Sequence, residues 1–228
     1  MRRSVAFLLS ICLSWMLVFS VGAEPRIIYR HVGSTSQKRI ALTFDDGPHP
    51  RYTAQILDIL AEFGVCATFF AVGTNAEAYP ELILREIEEG HEVGNHTYHH
   101  NHVAKLSGEA LCKDILSCTE ALERITGRHI RLFRPPEGVC SEALKEICEE
   151  RDMTIVLWSV DTRDWAHTPI RDICENIRSN VKNGSIILMH DFIGKNSPTP
   201  EALRCIIPML QEMGYELVTV SQLLEEAE

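Results

Sequence analysis

The stretch Arg39-Ile40-Ala41-Leu42-Thr43-Phe44-Asp45-Asp46-Gly47-Pro48 runs from an apolar β-type segment straight into two adjacent carboxylates and a Gly-Pro turn. Its first six residues have the character of a strand covered on both faces, as in a parallel sheet with helical crossovers. Further runs of this type stand at residues 65–72, 91–95, 131–134, 154–159, 185–190 and 216–218. Between them lie amphipathic segments near 53–63, 80–90, 107–126, 141–151, 169–181 and 200–213. Thr168-Pro169 and Thr199-Pro200 have the form of helix starts, a capping hydroxyl before a proline at the first helical position. Strand and helix therefore alternate along the whole chain, which predicts an α/β fold around a parallel sheet.

An open doubly wound sheet and a closed barrel both satisfy that alternation, and the placement of polar residues separates them. An open sheet binds at one switch point, with loops from a few strands. Here chemistry-capable residues follow most of the strands: Asp45 and Asp46, then His96 to His100, Arg134, Asp161 to Trp165, and His190. That spread fits a ring of strand ends. The expected fold is a distorted, seven-stranded (β/α) barrel, formed as one domain from residue 27 to 228, since no Gly-, Ser- or Pro-rich linker divides it.

The 228 residues are 45% hydrophobic, enough for a sizeable core and against disorder. Arg2 and Arg3 precede an apolar run from Val5 to Val21, with small residues at Val21 and Ala23, so residues 1–23 read as an export signal. An N-terminal anchor through residues 5–21 is the rival reading, because the run approaches the ~20 residues a spanning helix needs. Either places the domain outside the cytoplasm, secreted or at the cell surface. Removing residues 1–23 takes the net charge from −10 to −12. Such a surface disfavours nucleic acid, whose binding requires concentrated positive charge. Seven cysteines remain after Cys12, an odd number without a CxxC pair, so a complete disulfide framework is excluded. Cys118 and Cys174 fall in line with apolar helix positions and read as buried hydrophobes, with one or two bridges as the alternative.

Asp45-Asp46 at a strand end repel each other, a cost that one cation relieves, although Asp-Asp-Gly alone is also a common solvated turn. His96 and His100 change the balance. Imidazoles at i and i+4 share one face of a helical turn and can share a metal, while His99 and His102 point elsewhere. Two His and one carboxylate leave coordination positions open, as catalytic metal sites do. Arg134 before Pro135-Pro136 can aim its guanidinium at a carboxylate, and His190 at a strand end suits a general acid or base. The plainer alternatives are a surface ion pair for Arg134, a capped strand end for His190 and core packing for Trp165.

Thr43-Phe44-Asp45-Asp46-Gly47, His96-Thr97-x-x-His100, Arg134-x-Pro136-x-Gly138, Asp161-x-x-Asp164-Trp165 and Leu188-x-His190 occur in the order of the five motifs of the polysaccharide deacetylases of the NodB-homology type, carbohydrate esterase family 4. The chain resembles that family over nearly all of its length after residue 23. The resemblance implies a distorted (β/α) barrel and a divalent metal, zinc in the first place with cobalt, manganese or nickel as alternatives. It also implies removal of acetyl groups from N-acetylated sugars. By the same resemblance Asp46, His96 and His100 are the metal ligands, Asp45 the general base and His190 the acid. Arg134 orients Asp45, and Asp164 holds His190. Trp165 and Leu188 wall the pocket for the acetyl methyl, with Pro136 and Glu137 beside the substrate.

Glu137 departs from the family pattern, which often has an aromatic residue there. The run Arg134 to Ser141 looks more like the peptidoglycan-directed members than the chitin-directed ones. Peptidoglycan is therefore the first expected substrate and a chitin-type oligosaccharide the second. A non-catalytic glycan-binding relative is the expectation from another class, and it would be marked by substitutions at the metal or base positions. None is present.

Overall fold

In the computed structural model, residues 26–31 and 37–225 are described, so the expected export segment lies outside the described residues. The strands are β1 (Ile27–Ile28), β2 (Lys38–Asp45), β3 (Thr68–Ala71), β4 (Glu92–Asn95), β5 (Leu132–Phe133), β6 (Thr154–Val156), β7 (Val160–Asp161), β8 (Ile186–His190) and β9 (Tyr215–Leu217). The helices are α1 (Tyr52–Phe63), α2 (Gly73–Ala78), α3 (Pro80–Glu88), α4 (Gly108–Thr126), α5 (Glu142–Glu150), α6 (Ile170–Asn180), α7 (Thr199–Glu212) and α8 (Val220–Leu224).

Eight strands follow one path, β1-β6-β5-β4-β3-β2-β8-β7, and β9 pairs with the start of β2. The strand pairings are parallel. β1 and β7 end the path, and among the described residues they do not pair with each other. An antiparallel bridge from Arg30, just past β1, to Ser185, just before β8, reaches across the opening. The sheet is thus a distorted, incompletely closed barrel. All seven expected strands are present, but the path holds eight because β1 and β7 have two residues each, too few to show a period. The expected strand at 154–159 stops at Val156, and β9 lies off the path. The six expected helices form within a few residues of their predicted bounds. The short α2 and α8, of six and five residues, lay below the length at which a helical period is legible.

Side-chain alternation along β2 builds two layers. Ile40, Leu42 and Phe44 face outward into a core shared with Ile56, Leu57 and Leu60 of α1, Ile173 and Ile177 of α6, and Leu203, Ile206 and Ile207 of α7. All three β2 side chains are fully buried, each contributing about 1.5–3 kcal/mol relative to exposure. Ala41 faces the barrel interior with Phe70, Leu132, Val156 and Ile186, so Thr43 and Asp45 climb that same inner face toward the rim. The register then levels the strand ends. Asp45 pairs with His190 and Phe70, Ala71 with Asn95, and Asn95 with Phe133, bringing the residues that follow each strand to one rim.

Helix ends follow local chemistry in several places. The Ser107 and Ser141 hydroxyls accept from Ala110 N–H and Leu144 N–H at the starts of α4 and α5, and Thr219 forms a capping box with Gln222. The two Thr-Pro starts behave otherwise. The Thr168 hydroxyl donates to the carbonyl of Arg163, and α6 begins two residues later. The Thr199 hydroxyl leaves its helix altogether and donates to Asp164. Neither hydroxyl caps its helix, the first turning back to a carbonyl five residues earlier and the second reaching a carboxylate 35 residues away. The seven cysteines among the described residues are free thiols. Cys118 and Cys174 are buried on helix faces as expected, and the Cys174 and Cys205 sulfurs, on α6 and α7, stand 2.8 Å apart.

Candidate active site

Asp45 ends β2 with its side chain buried, and Asp46 leaves the strand at φ 79°, so the two carboxylates diverge. Gly47 follows where no side chain fits: a Cβ there would lie 1.8 Å from Asp191 Oδ2. Asp191, itself buried, accepts from the Gly47 N–H (2.8 Å) and from the Thr53 hydroxyl, which fixes the turn from behind. Burial pushes the Asp191 carboxyl up to about 7, against the pull of the Thr53 hydrogen bond.

His96 and His100 come together, but not on a helical turn. Thr97 and His100 both have positive φ, 66° and 55°, and the segment after β4 is an irregular loop. The i, i+4 spacing works here through that loop. His99 and His102 stand apart, His99 on Asp114 and His102 Nε2 3.2 Å from Glu137 Oε2.

One ligand atom from each of Asp46, His96 and His100 lies within 4.8 Å of the others. His96 Nδ1 is 2.7 Å from the carbonyl oxygen of Arg134, which can only accept, so Nδ1 carries the proton and Nε2 a lone pair. That Nε2 lies 3.4 Å from Asp46 Oδ1, and His100 Nε2 lies 3.0 Å from the same oxygen. Asp46 Oδ1 is nevertheless buried without a hydrogen bond of acceptable geometry. A carboxylate and an imidazole that aim lone pairs at one point fit a divalent cation, and the carbonyl behind His96 is the usual means of fixing its tautomer. Burial disfavours the Asp46 charge, but His100 and His96 outweigh it and hold the carboxyl well below the usual range. His100 is raised in return, by the Asp46 carboxylate beside it.

Arg134 follows β5 and is fully buried inside the barrel, which excludes the surface ion pair. Its Nη1 donates to Asp45 Oδ1 and to Thr43 Oγ1, both at 2.7 Å, while Nε and Nη2 donate to the carbonyls of Val156 and Leu157. The guanidinium carbon sits 4.1 Å from the centre of the Phe70 ring. Burial lowers the Arg134 pKa, and Asp45 opposes that fall. Asp45 Oδ2 remains 3.8 Å from His96 Nε2, next to the triad.

On the other side His190, at the end of β8, has Nδ1 2.8 Å from Asp164 Oδ1. Asp164 is fully buried and also accepts from the backbone N–H groups of His190 (2.8 Å) and Trp165 (3.0 Å). Burial works against the charged imidazole. Asp164 first, with Asp45 and Asp46, overcomes it and raises His190 to about 9. Leu188 is buried on β8, whereas Trp165 is 50% exposed, so the core-packing alternative fails for it. Pro136 is buried, and Glu137 is held at φ 57° with an exposed side chain. Sequence reasoning assigned neither Asp191 nor Thr199 to the site. Asp191 adjoins His190, but nothing local marks it as buried, and Thr199 carried a capping signal that pointed to the wrong partner.

Residues 32–156 match the family model for polysaccharide deacetylase. The chain belongs to the polysaccharide deacetylase family. It is similar to a peptidoglycan-N-acetylglucosamine deacetylase of Bacillus cereus, 41% identical over 191 residues that cover 83% of this chain and 89% of the relative. It is also similar to a chitooligosaccharide deacetylase of Azorhizobium caulinodans, 37% identical over 80% of this chain and 92% of the relative. Among solved structures, a pseudoenzyme of the CE4 family from Bacillus anthracis superposes with a TM-score of 0.82 at 29% identity, covering 90% of this chain and 70% of that one. A fold shared with a pseudoenzyme does not establish activity, so activity rests on the side chains at the rim.

Proposed function

We propose that this polysaccharide deacetylase removes acetyl groups from the N-acetylated amino sugars of peptidoglycan, using one divalent metal ion, zinc in the first place. The observation that carries the reading is the constellation itself: a lone-pair triad for a cation, flanked by an anchored carboxylate and a carboxylate-held imidazole. Non-catalytic glycan binding would leave that arrangement without a purpose.

A cation bound by Asp46, His96 and His100 would polarise the acetamide carbonyl and acidify a water beside it. Asp45, pinned by Arg134, keeps Oδ2 toward the triad and takes the proton of the attacking water. His190 has its Nδ1 proton committed to Asp164, so Nε2 is the nitrogen left to protonate the departing amine. Because Asp164 keeps the ring charged to about pH 9, that proton is in place at neutral pH. Acetate leaves and the free amine stays on the sugar, with no covalent intermediate. Trp165 and Leu188 are assigned to the acetyl methyl, and Pro136 and Glu137 to the substrate groove.

The Bacillus cereus relative supports peptidoglycan as substrate, and the Azorhizobium relative keeps chitooligosaccharides as the second reading. The N-terminal segment supports an extracytoplasmic enzyme, secreted or tethered through residues 5–21. Among the described residues, no helix is long and apolar enough to cross a membrane. No nucleic acid is expected as partner. Mass spectrometry of muropeptides and of chitin oligomers of equal length, after incubation with the metal-loaded protein, tests the assignment. Acetyl loss greater from peptidoglycan is the expected result, and a clear preference for chitin oligomers would reverse the order.

A further inference from the structure

Thr199 is the first residue of α7, preceded by Pro198 and followed by Pro200, so its backbone is stiffened on both sides. A Thr just before a helix ordinarily caps it with its hydroxyl, but here Pro198 holds the N-cap position and the Thr199 hydroxyl bonds away from the helix. Its hydroxyl lies 2.7 Å from Asp164 Oδ2 across 35 residues of sequence, and the residue is fully buried. An ionised carboxylate can only accept, so the Thr199 proton is committed to Asp164. The Ser197 hydroxyl, 3.1 Å away, then donates to Thr199 Oγ1. The resulting chain runs Ser197, Thr199, Asp164, His190.

We propose that Thr199 is a positioning residue for the deacetylation reaction, holding the Asp164 carboxylate so that Oδ1 stays in line with His190 Nδ1. The proposal rests on the reading of His190 as the acid. The torsion that turns a carboxylate about its Cβ–Cγ bond is broad and settles where its donors place it. Oδ1 receives His190 Nδ1–H and Trp165 N–H, while Oδ2 receives His190 N–H and the Thr199 hydroxyl. Thr199 supplies the side-chain donor on Oδ2, and Asp164 is too deeply buried for bulk water to replace it. With that donor gone, only the backbone N–H of His190 holds Oδ2, the carboxylate gains freedom to turn, and the ring of His190 loses its fixed aim.

Thr199→Val keeps the branched shape and removes the hydroxyl. Its kcat should fall about tenfold, the order expected for losing a hydrogen bond to a charged group, with KM and metal content unchanged. Thr199→Ser should restore kcat, and Thr199→Ala should match Val, which guards against a folding defect peculiar to the buried methyl. A second readout is independent of turnover: the His190 Nδ1–H resonance in metal-free, nitrogen-15-labelled protein. It should move in the Val and Ala variants and return in Ser. Val and Ala variants with normal kcat and an unmoved resonance, or a Ser variant that fails to recover both, would overturn the proposal. If the wild type released no acetate at all, the mechanism would fall while the resonance still judged the positioning role.

Discussion

Replacing Asp164 with Asn isolates the charge that sets the His190 proton. Burial alone favours the neutral imidazole, yet Asp164, aided by Asp45 and Asp46, raises His190 from 6.5 to about 9. That rise corresponds to about 3 kcal/mol in favour of the protonated ring. The sign follows directly. A raised value keeps the acid charged below pH 9, so activity that needs it should fall as pH climbs through about 9. In Asp164→Asn the principal raising partner is gone while burial remains, and His190 should fall from about 9 toward its ordinary 6.5, with Asp45 and Asp46 left to oppose burial. The alkaline limb of kcat should therefore move down by about two pH units. The assay is acetate release against pH, with metal content measured at each point so that metal loss is not read as titration. Stability adds a check with the same sign. The contribution from charged His190 is fully present below pH 6.5 and lost through about pH 9, so the Tm gap between wild type and variant should narrow over that window. An alkaline limb at the same pH in both proteins would refute the pairing of Asp164 with the catalytic acid.

Asp46→Ala and His96→Ala should each lower bound divalent metal and activity together while the fold persists, as read by elemental analysis and circular dichroism; full metal occupancy in both variants would remove them from the ligand set. Asp45→Asn keeps the shape and an acceptor for Arg134 but removes the basicity, so metal affinity should hold while kcat drops by about 10² to 10⁴. Loss of the metal in that variant would make Asp45 a ligand. Arg134→Met strands the Asp45 carboxylate inside the barrel and should cost about 3–5 kcal/mol in urea unfolding, a loss too large for a surface ion pair.

The alternation of β2, with Ile40, Leu42 and Phe44 against Ala41, Thr43 and Asp45, is legible because a single buried strand carries both layers of the barrel. The rim residues are legible for a related reason: each stands directly after an apolar run, so locating the strand locates the side chain. Legibility stops where an element is too short to have a period, as in β1, β7, α2 and α8. It stops again where loop backbone does the work. His96 and His100 were expected on a helical turn and converge instead through residues of positive φ, a feature that no periodicity encodes. Thr199 shows a third limit: the local rule for a Thr-Pro start named the right residue type and the wrong partner, because a buried carboxylate 35 residues away is a stronger acceptor claim than the helix end. Asp191 is hidden in the same way, since its role depends on the close passage of Gly47.

The most direct test of the account is a titration of divalent metal into metal-stripped protein, with acetate release from peptidoglycan read at each step. The proposed triad of Asp46, His96 and His100 has its ligand atoms close enough together to hold a single ion. Activity should be absent without metal, rise linearly with added ion and saturate at one ion per chain. Undiminished acetate release from the stripped protein, or binding of one ion per chain with no release of acetate, would contradict the central claim.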